Sequence, residues 1–167
     1  VLRFTVKDKL IFNDWMIKKK PYEIYPDYKK IDEFVNKLNN AKKPLLITGR
    51  GARYSCDVLE EFLSKTEVLY LDTQDSRGVI PFTHSSNVYA ARSKVMAEAD
   101  LVILVGRKLD YQLAYGSPAI FRKAAFIRIS DNPHELVDNR RGMPEIYGKP
   151  ELVFKEINSR ELNTNFN

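Results

Sequence analysis

Apolar residues recur along this chain in two rhythms, short continuous runs and helical stripes. The first run, residues 44–52, reads Pro-Leu-Leu-Ile-Thr-Gly-Arg-Gly-Ala, so an apolar and β-branched stretch meets two glycines one residue apart. A helical pattern follows from about Tyr54. That order predicts a buried strand, a tight turn and a helix N-terminus, an arrangement that brings backbone N–H groups up to a phosphate. It is a partial version of the dinucleotide fingerprint, because Tyr54 stands where a third glycine belongs. Residues 101–106 form an uninterrupted apolar run, as in a strand covered on both faces. Residues 68–72 and 124–130 predict two further strands, and 143–147 a short fifth.

The stripes predict helices between these runs. Asp27 reads as the N-cap of a helix over 28–38 that turns Ile31, Phe34, Val35 and Leu38 to one side. Val58, Leu59, Phe62 and Leu63 form the same pattern over 54–64, a third helix is predicted over 88–99, and Leu152, Val153, Phe154 and Ile157 open a closing helix over 151–157. Residues 73–84, with Gly78 and Pro81, and residues 107–121 read as loops over strand ends. Strands alternating with helices, and no tight hairpins, predict an α/β fold with a parallel sheet of five or six strands. Residues 18–26, interrupted by Pro21 and Pro26, read as an extended crossing segment, and 158–167 as a frayed tail.

Composition narrows the function classes. A chain of 167 residues suits one core, and no apolar run reaches the length of a membrane span. No basic-then-apolar leader opens the chain, and the single cysteine, Cys56, excludes an internal disulfide or thiol metal cluster, so a reducing cytoplasm is the expected compartment. The net charge of +5 lies wholly in residues 1–43, where eleven Lys or Arg face six Asp or Glu; the remainder is balanced at sixteen of each. Lys18, Lys19 and Lys20 are therefore read as a solvated linker, with no nucleic-acid partner. His84 and His134 have no partner at metal-ligand spacing, and Ser55, Cys56 and Asp57 point in different directions on a helix, so no catalytic or metal site is assigned.

With these pieces placed, five segments in order resemble a known family: Ala-Lys-Lys-Pro-Leu-Leu-Ile-Thr-Gly-Arg-Gly-Ala-Arg from Ala41, Gly-Val-Ile-Pro from Gly78, Ala-Asp-Leu-Val-Ile-Leu-Val-Gly from Ala99, Arg107 to Gly116, and Phe126 to Arg140. Together they are similar to the central domain of thiamine-diphosphate-dependent enzymes, closest in style to the acetolactate synthase, oxalyl-CoA decarboxylase and benzaldehyde lyase group. The resemblance runs over about residues 29–157 and implies a Rossmann-like three-layer fold of the deoxyhypusine-synthase-like type, known for NAD and FAD binding. It further implies that residues 1–28 are the end of a preceding pyrimidine-binding domain and a linker, and that a diphosphate-binding domain follows. Thiamine diphosphate and Mg²⁺ would be held by those flanking domains in a homodimeric or homotetrameric parent enzyme, and this piece would be inert alone.

In such relatives the central domain holds the ADP half of FAD, ADP itself, or no ligand. Carried over residue by residue, Gly49, Gly51 and Ala52 match the turn that faces a pyrophosphate, with Arg50 adding charge. Gly106, Lys108 and Asp110 match the segment alongside the nucleotide, Lys108 standing where the family has arginine. Asp72 ends the second strand and Thr73 opens the loop after it, about where dinucleotide folds place a ribose-binding acid; a strand-end cap on that loop is an equally good reading of Asp72. After the fourth strand the usual Asp-X-Asp is Ser130-Asp131-Asn132, which moves the acid to Asp131, and Lys149 replaces a further acid. These departures argue against FAD. The alternative reading is a free-standing NAD-binding module of the deoxyhypusine-synthase or sirtuin type, against which the missing metal cysteines already count.

Overall fold

The computed structural model describes residues 23–162 and Phe166, so the expectations for residues 1–22, including the strand end at the start and the lysine run, lie outside the described residues. Helix α1 (Tyr28–Asn40) begins at Asp27, whose carboxylate accepts the N–H of Lys29 at 3.0 Å, and buries Ile31, Phe34 and Leu38. Strand β1 (Pro44–Thr48) is wholly buried, as a doubly covered strand requires. A one-turn 3₁₀ helix (Arg50–Ala52) and α2 (Cys56–Thr66) follow; Glu67, at φ 55°, closes α2 in the left-handed conformation with its N–H on Leu63. Then come β2 (Leu69–Leu71), α3 (Arg92–Glu98), β3 (Leu101–Val105), β4 (Ala125–Ser130), the short α4 (His134–Val137), β5 (Glu145–Tyr147) and α5 (Pro150–Asn158).

The five strands form one parallel sheet in the order β2-β1-β3-β4-β5. Beyond β2, Tyr70 donates its N–H to Ser86 O at 2.7 Å and accepts from Val88 N at 3.1 Å, so one parallel bridge marks the place of a sixth strand. Alternate residues of each strand serve opposite faces. Leu46, Ile103, Ile127 and Ile146 pack against α1, α2 and α5, where Phe34, Phe62 and Phe154 meet edge to face with centroids 5.1–6.3 Å apart. Leu45, Ile47, Val102, Leu104 and Phe126 pack on the other side against Met96 of α3 and Leu109, Leu113 and Phe121 of the long loop. Two apolar cores on either side of one sheet are the three-layer α/β architecture that the strand and helix rhythm predicts.

The differences from expectation are local. The helix expected over 88–99 starts only at Arg92, because Tyr89–Ala91 form a separate 3₁₀ turn with no buried residue. The loop after β3 contains a kinked 3₁₀ segment, Tyr111–Gly116, in which Ala114 and Tyr115 adopt positive φ. The tail is not frayed at its start: Asn158 is buried and closes α5, and Leu162 and Phe166 pack against the first core.

Candidate functional site

Strand order reverses between β1 and β3, and the crevice outside the carboxyl ends of those strands is where open α/β sheets bind ligands. The glycine turn lies at that point. Gly49 donates its N–H to Val105 O at 2.9 Å, Gly51 to Gly106 O at 3.1 Å and Ala52 to Gly49 O at 3.0 Å. A Cβ on Gly49 would stand 2.4 Å from Gly106 O, and one on Gly106 would stand 2.4 Å from Gly51 Cα. Gly106 itself has φ 55°. The glycines are therefore demanded by two backbones in direct contact, and the N–H groups of Gly49, Gly51 and Ala52 are bound inside the protein.

Beneath the turn runs a buried chain of hydroxyls. Thr48 Oγ1 is 2.8 Å from Tyr70 OH and donates to Ser76 Oγ at 2.9 Å, and Ser76 Oγ donates to Thr48 O at 2.8 Å. Thr73 Oγ1 also donates to Thr48 O at 2.8 Å, so Thr73 fastens the loop after β2 to the end of β1. Burial pushes the Tyr70 phenol up to about 12, and its neutral form suits this network.

Above the turn lies Arg107, 7% exposed. Its guanidinium donates to both carboxylate oxygens of Asp110, at 2.9 and 2.8 Å, and to Gln112 Oε1 at 2.8 Å; only Nε finds no partner. Arg107 itself borders one pocket, and Gln112 borders a second. One, of about 320 Å³, is bordered by Arg50, Gly106, Lys108, Asp110, Asn132 and Glu135. The other, of about 380 Å³, is bordered by Asp72, Thr73, Arg77, Tyr89, Arg92 and Gln112. Asp131 is exposed and borders neither, whereas buried Ser130 donates to Glu135 Oε2 at 2.8 Å.

A second fastening joins the loops after β3 and β4. Arg128 of β4, 1% exposed, donates to the carbonyls of Asp138 at 2.7 Å and Arg140 at 2.9 Å and pairs with the Asp138 carboxylate. Asp138 in turn accepts the N–H of Leu109 at 3.0 Å, and Asn139 donates to Leu109 O at 2.6 Å. Arg140 donates to Gly116 O at 3.0 Å and Ala124 O at 2.7 Å and lies 4.5 Å over the Phe126 ring.

A model of the family described as "Thiamine pyrophosphate enzyme, central domain" matches residues 31–157. The chain belongs to that family. Among curated proteins it is 34% identical over 119 residues to oxalyl-CoA decarboxylase of Escherichia coli K12, covering 70% of this chain and 21% of that one. It is 32% identical over 143 residues to 2-hydroxyacyl-CoA lyase of Oryza sativa subsp. japonica, covering 82% of this chain and 25% of that one. The chain thus spans about a fifth to a quarter of the length of these relatives. The crystal structure of benzoylformate decarboxylase from Polynucleobacter necessarius shares its fold, with TM-score 0.74 over 89% of this chain and 30% of that one at 18% identity.

Membership in the thiamine pyrophosphate central-domain family leaves the free-standing NAD module without support. The residues carried over from the resemblance separate within this central domain. Arg50, Gly106, Lys108 and Asp110 share one pocket, Asp72 and Thr73 the other, and Gly49, Gly51 and Ala52 form the packed turn. Thr73 and Asp110 are occupied, the first by Thr48 and the second by Arg107. Arg107, Glu135 and Arg128 were not singled out from sequence. The signals were an arginine directly after the glycine of β3, a glutamate five residues beyond Ser130, and an arginine inside an apolar strand. Among the described residues no group of His, Cys, Asp and Glu could hold a metal ion, and no helix is long and apolar enough to cross a membrane.

Proposed function

We propose that residues 29–157 are the middle domain of a larger thiamine-diphosphate-dependent enzyme that breaks a carbon–carbon bond beside the carbonyl of a coenzyme A thioester. The observation that carries this is the family match over residues 31–157. The names oxalyl-CoA decarboxylase and 2-hydroxyacyl-CoA lyase support a CoA thioester over acetolactate synthase chemistry, which the resemblance from the motifs also named. In this reading the domain is a rigid spacer. Flanking pyrimidine-binding and diphosphate-binding domains hold thiamine diphosphate and Mg²⁺ and carry the contacts of a homodimer or homotetramer in the cytoplasm. FAD and ADP are left out of the proposal, because the N–H groups of Gly49, Gly51 and Ala52 in the glycine turn are already bonded to Val105, Gly106 and Gly49.

The test has two arms. The uninterrupted reading frame around this chain, expressed and supplied with thiamine diphosphate and Mg²⁺, is expected to release carbon dioxide from oxalyl-CoA or an aldehyde from a 2-hydroxyacyl-CoA. The 167-residue chain alone is expected to turn over neither. Turnover of pyruvate to acetolactate with neither CoA thioester consumed, or turnover by the chain alone, would contradict the proposal.

A further inference from the structure

We propose that Arg107 is a built-in plug that divides the crevice at the switch point and excludes the diphosphate of a nucleotide. This goes beyond the spacer role, which stands whether or not the domain binds a nucleotide. Arg107 follows Gly106 at the end of β3, and its Cδ and Cβ would lie 2.7 and 2.8 Å from a Cβ placed on Gly49, so its stem rests directly on the glycine turn. The guanidinium is fixed at both edges. Asp110 receives it through two parallel bonds, and Gln112 accepts a third.

Those two anchors face different spaces. Arg107 and Asp110 border the pocket of about 320 Å³ and Gln112 the pocket of about 380 Å³, so the hydrogen-bonded Arg107 cluster contributes to the walls of both. Each compartment is at the small end of the range for ligand sites, roughly 300–1,000 Å³. A ligand reaching from one to the other across the turn must displace a buried, doubly anchored side chain. Charge points the same way. Arg50, Arg107 and Lys108 around the first pocket are matched by Asp75, Asp110 and Glu135, which leaves no net attraction for a diphosphate. The one buried spare donor is Arg107 Nε, beside the exposed cations Arg50 and Lys108, while the backbone N–H groups of Gly49, Gly51 and Ala52 are withdrawn into the fold.

The test is calorimetric titration of the 167-residue chain with ADP and with FAD. The unaltered chain is expected to bind either with Kd above about 1 mM. Removing plug and counter-charge together, as Arg107→Ala with Asp110→Asn, is expected to lower Kd for ADP at least tenfold, and Arg107→Ala alone less, because a bare carboxylate then faces the phosphates. Gln112→Ala, which frees one edge of the guanidinium without deleting it, gives a smaller gain and serves if the double variant does not fold. Micromolar binding by the unaltered chain would overturn the plug, as would folded variants, confirmed by thermal melting, that bind ADP no better than the parent.

Discussion

The glycine turn and the Arg128 fastening lie side by side at the same end of the sheet, Gly106 donating its N–H to Ile129 O at 2.8 Å, yet they are built from opposite materials. The turn is backbone against backbone, with Gly49 and Gly51 packed on Gly106. The Arg128 fastening is a side chain reaching for backbone, one buried guanidinium holding the carbonyls of Asp138 and Arg140. Both are made of residue types that nucleotide sites also use, glycine beside strand ends and arginine near carboxylates. Such residues serve internal fastening when their donors already have partners within the fold.

The largest effect is expected at the glycines. Gly106→Ala combines a positive φ with a Cβ 2.4 Å from Gly51 Cα, and is expected to cost about 4 kcal/mol or more in urea unfolding, enough to leave little folded protein. Arg128→Ala leaves the half-buried Asp138 carboxylate without its cation and the carbonyls of Asp138 and Arg140 without their donor, and is expected to cost about 3 kcal/mol; Arg128→Met with Asp138→Asn should recover part of that loss. If both substitutions are mild, neither region is a fastening.

Tyr70 gives a smaller, pH-dependent contrast. Its phenol is pushed up to about 12 in the folded protein against an ordinary 10.0, so its contribution is present below pH 10 and is lost as pH rises through 12. A rise of that size corresponds to a loss on the order of 2–3 kcal/mol over the interval. Chemical denaturation at about pH 9, 10.5 and 12 should show a steeper decline in the parent than in Tyr70→Phe. Smallest of all, Lys108→Ala is expected to change stability by less than about 0.5 kcal/mol, since this exposed cation has no partner among the described residues.

The sheet was legible because its central strands are continuous apolar runs that no helix period fits, as Leu101–Val105 shows. Its edge was not, since Ser86, Asn87 and Val88 carry no strand signature and join β2 through a single bridge. The positions of the glycines were legible, but their purpose was not. A turn that cradles phosphate and a turn riveted to the next strand share one sequence pattern, and they differ only in where the N–H groups point. Arg128 stayed hidden because a strand pattern reports the face of a residue but not the loop carbonyls that gather around it. The acid after β4 shows the same limit: Asp131 is the residue that sequence offers, and Glu135, brought back by the short α4, is the one beside the crevice.

The decisive test of the closed turn is amide hydrogen exchange at Gly49 and Gly51, followed by NMR on the 167-residue chain with and without about 1 mM ADP. The bonds to Val105 and Gly106 predict exchange as slow as that of the β1 amides, with neither resonance moved by ADP. Exchange at the rate of an exposed loop, or a shift of both amides on adding ADP, would contradict it.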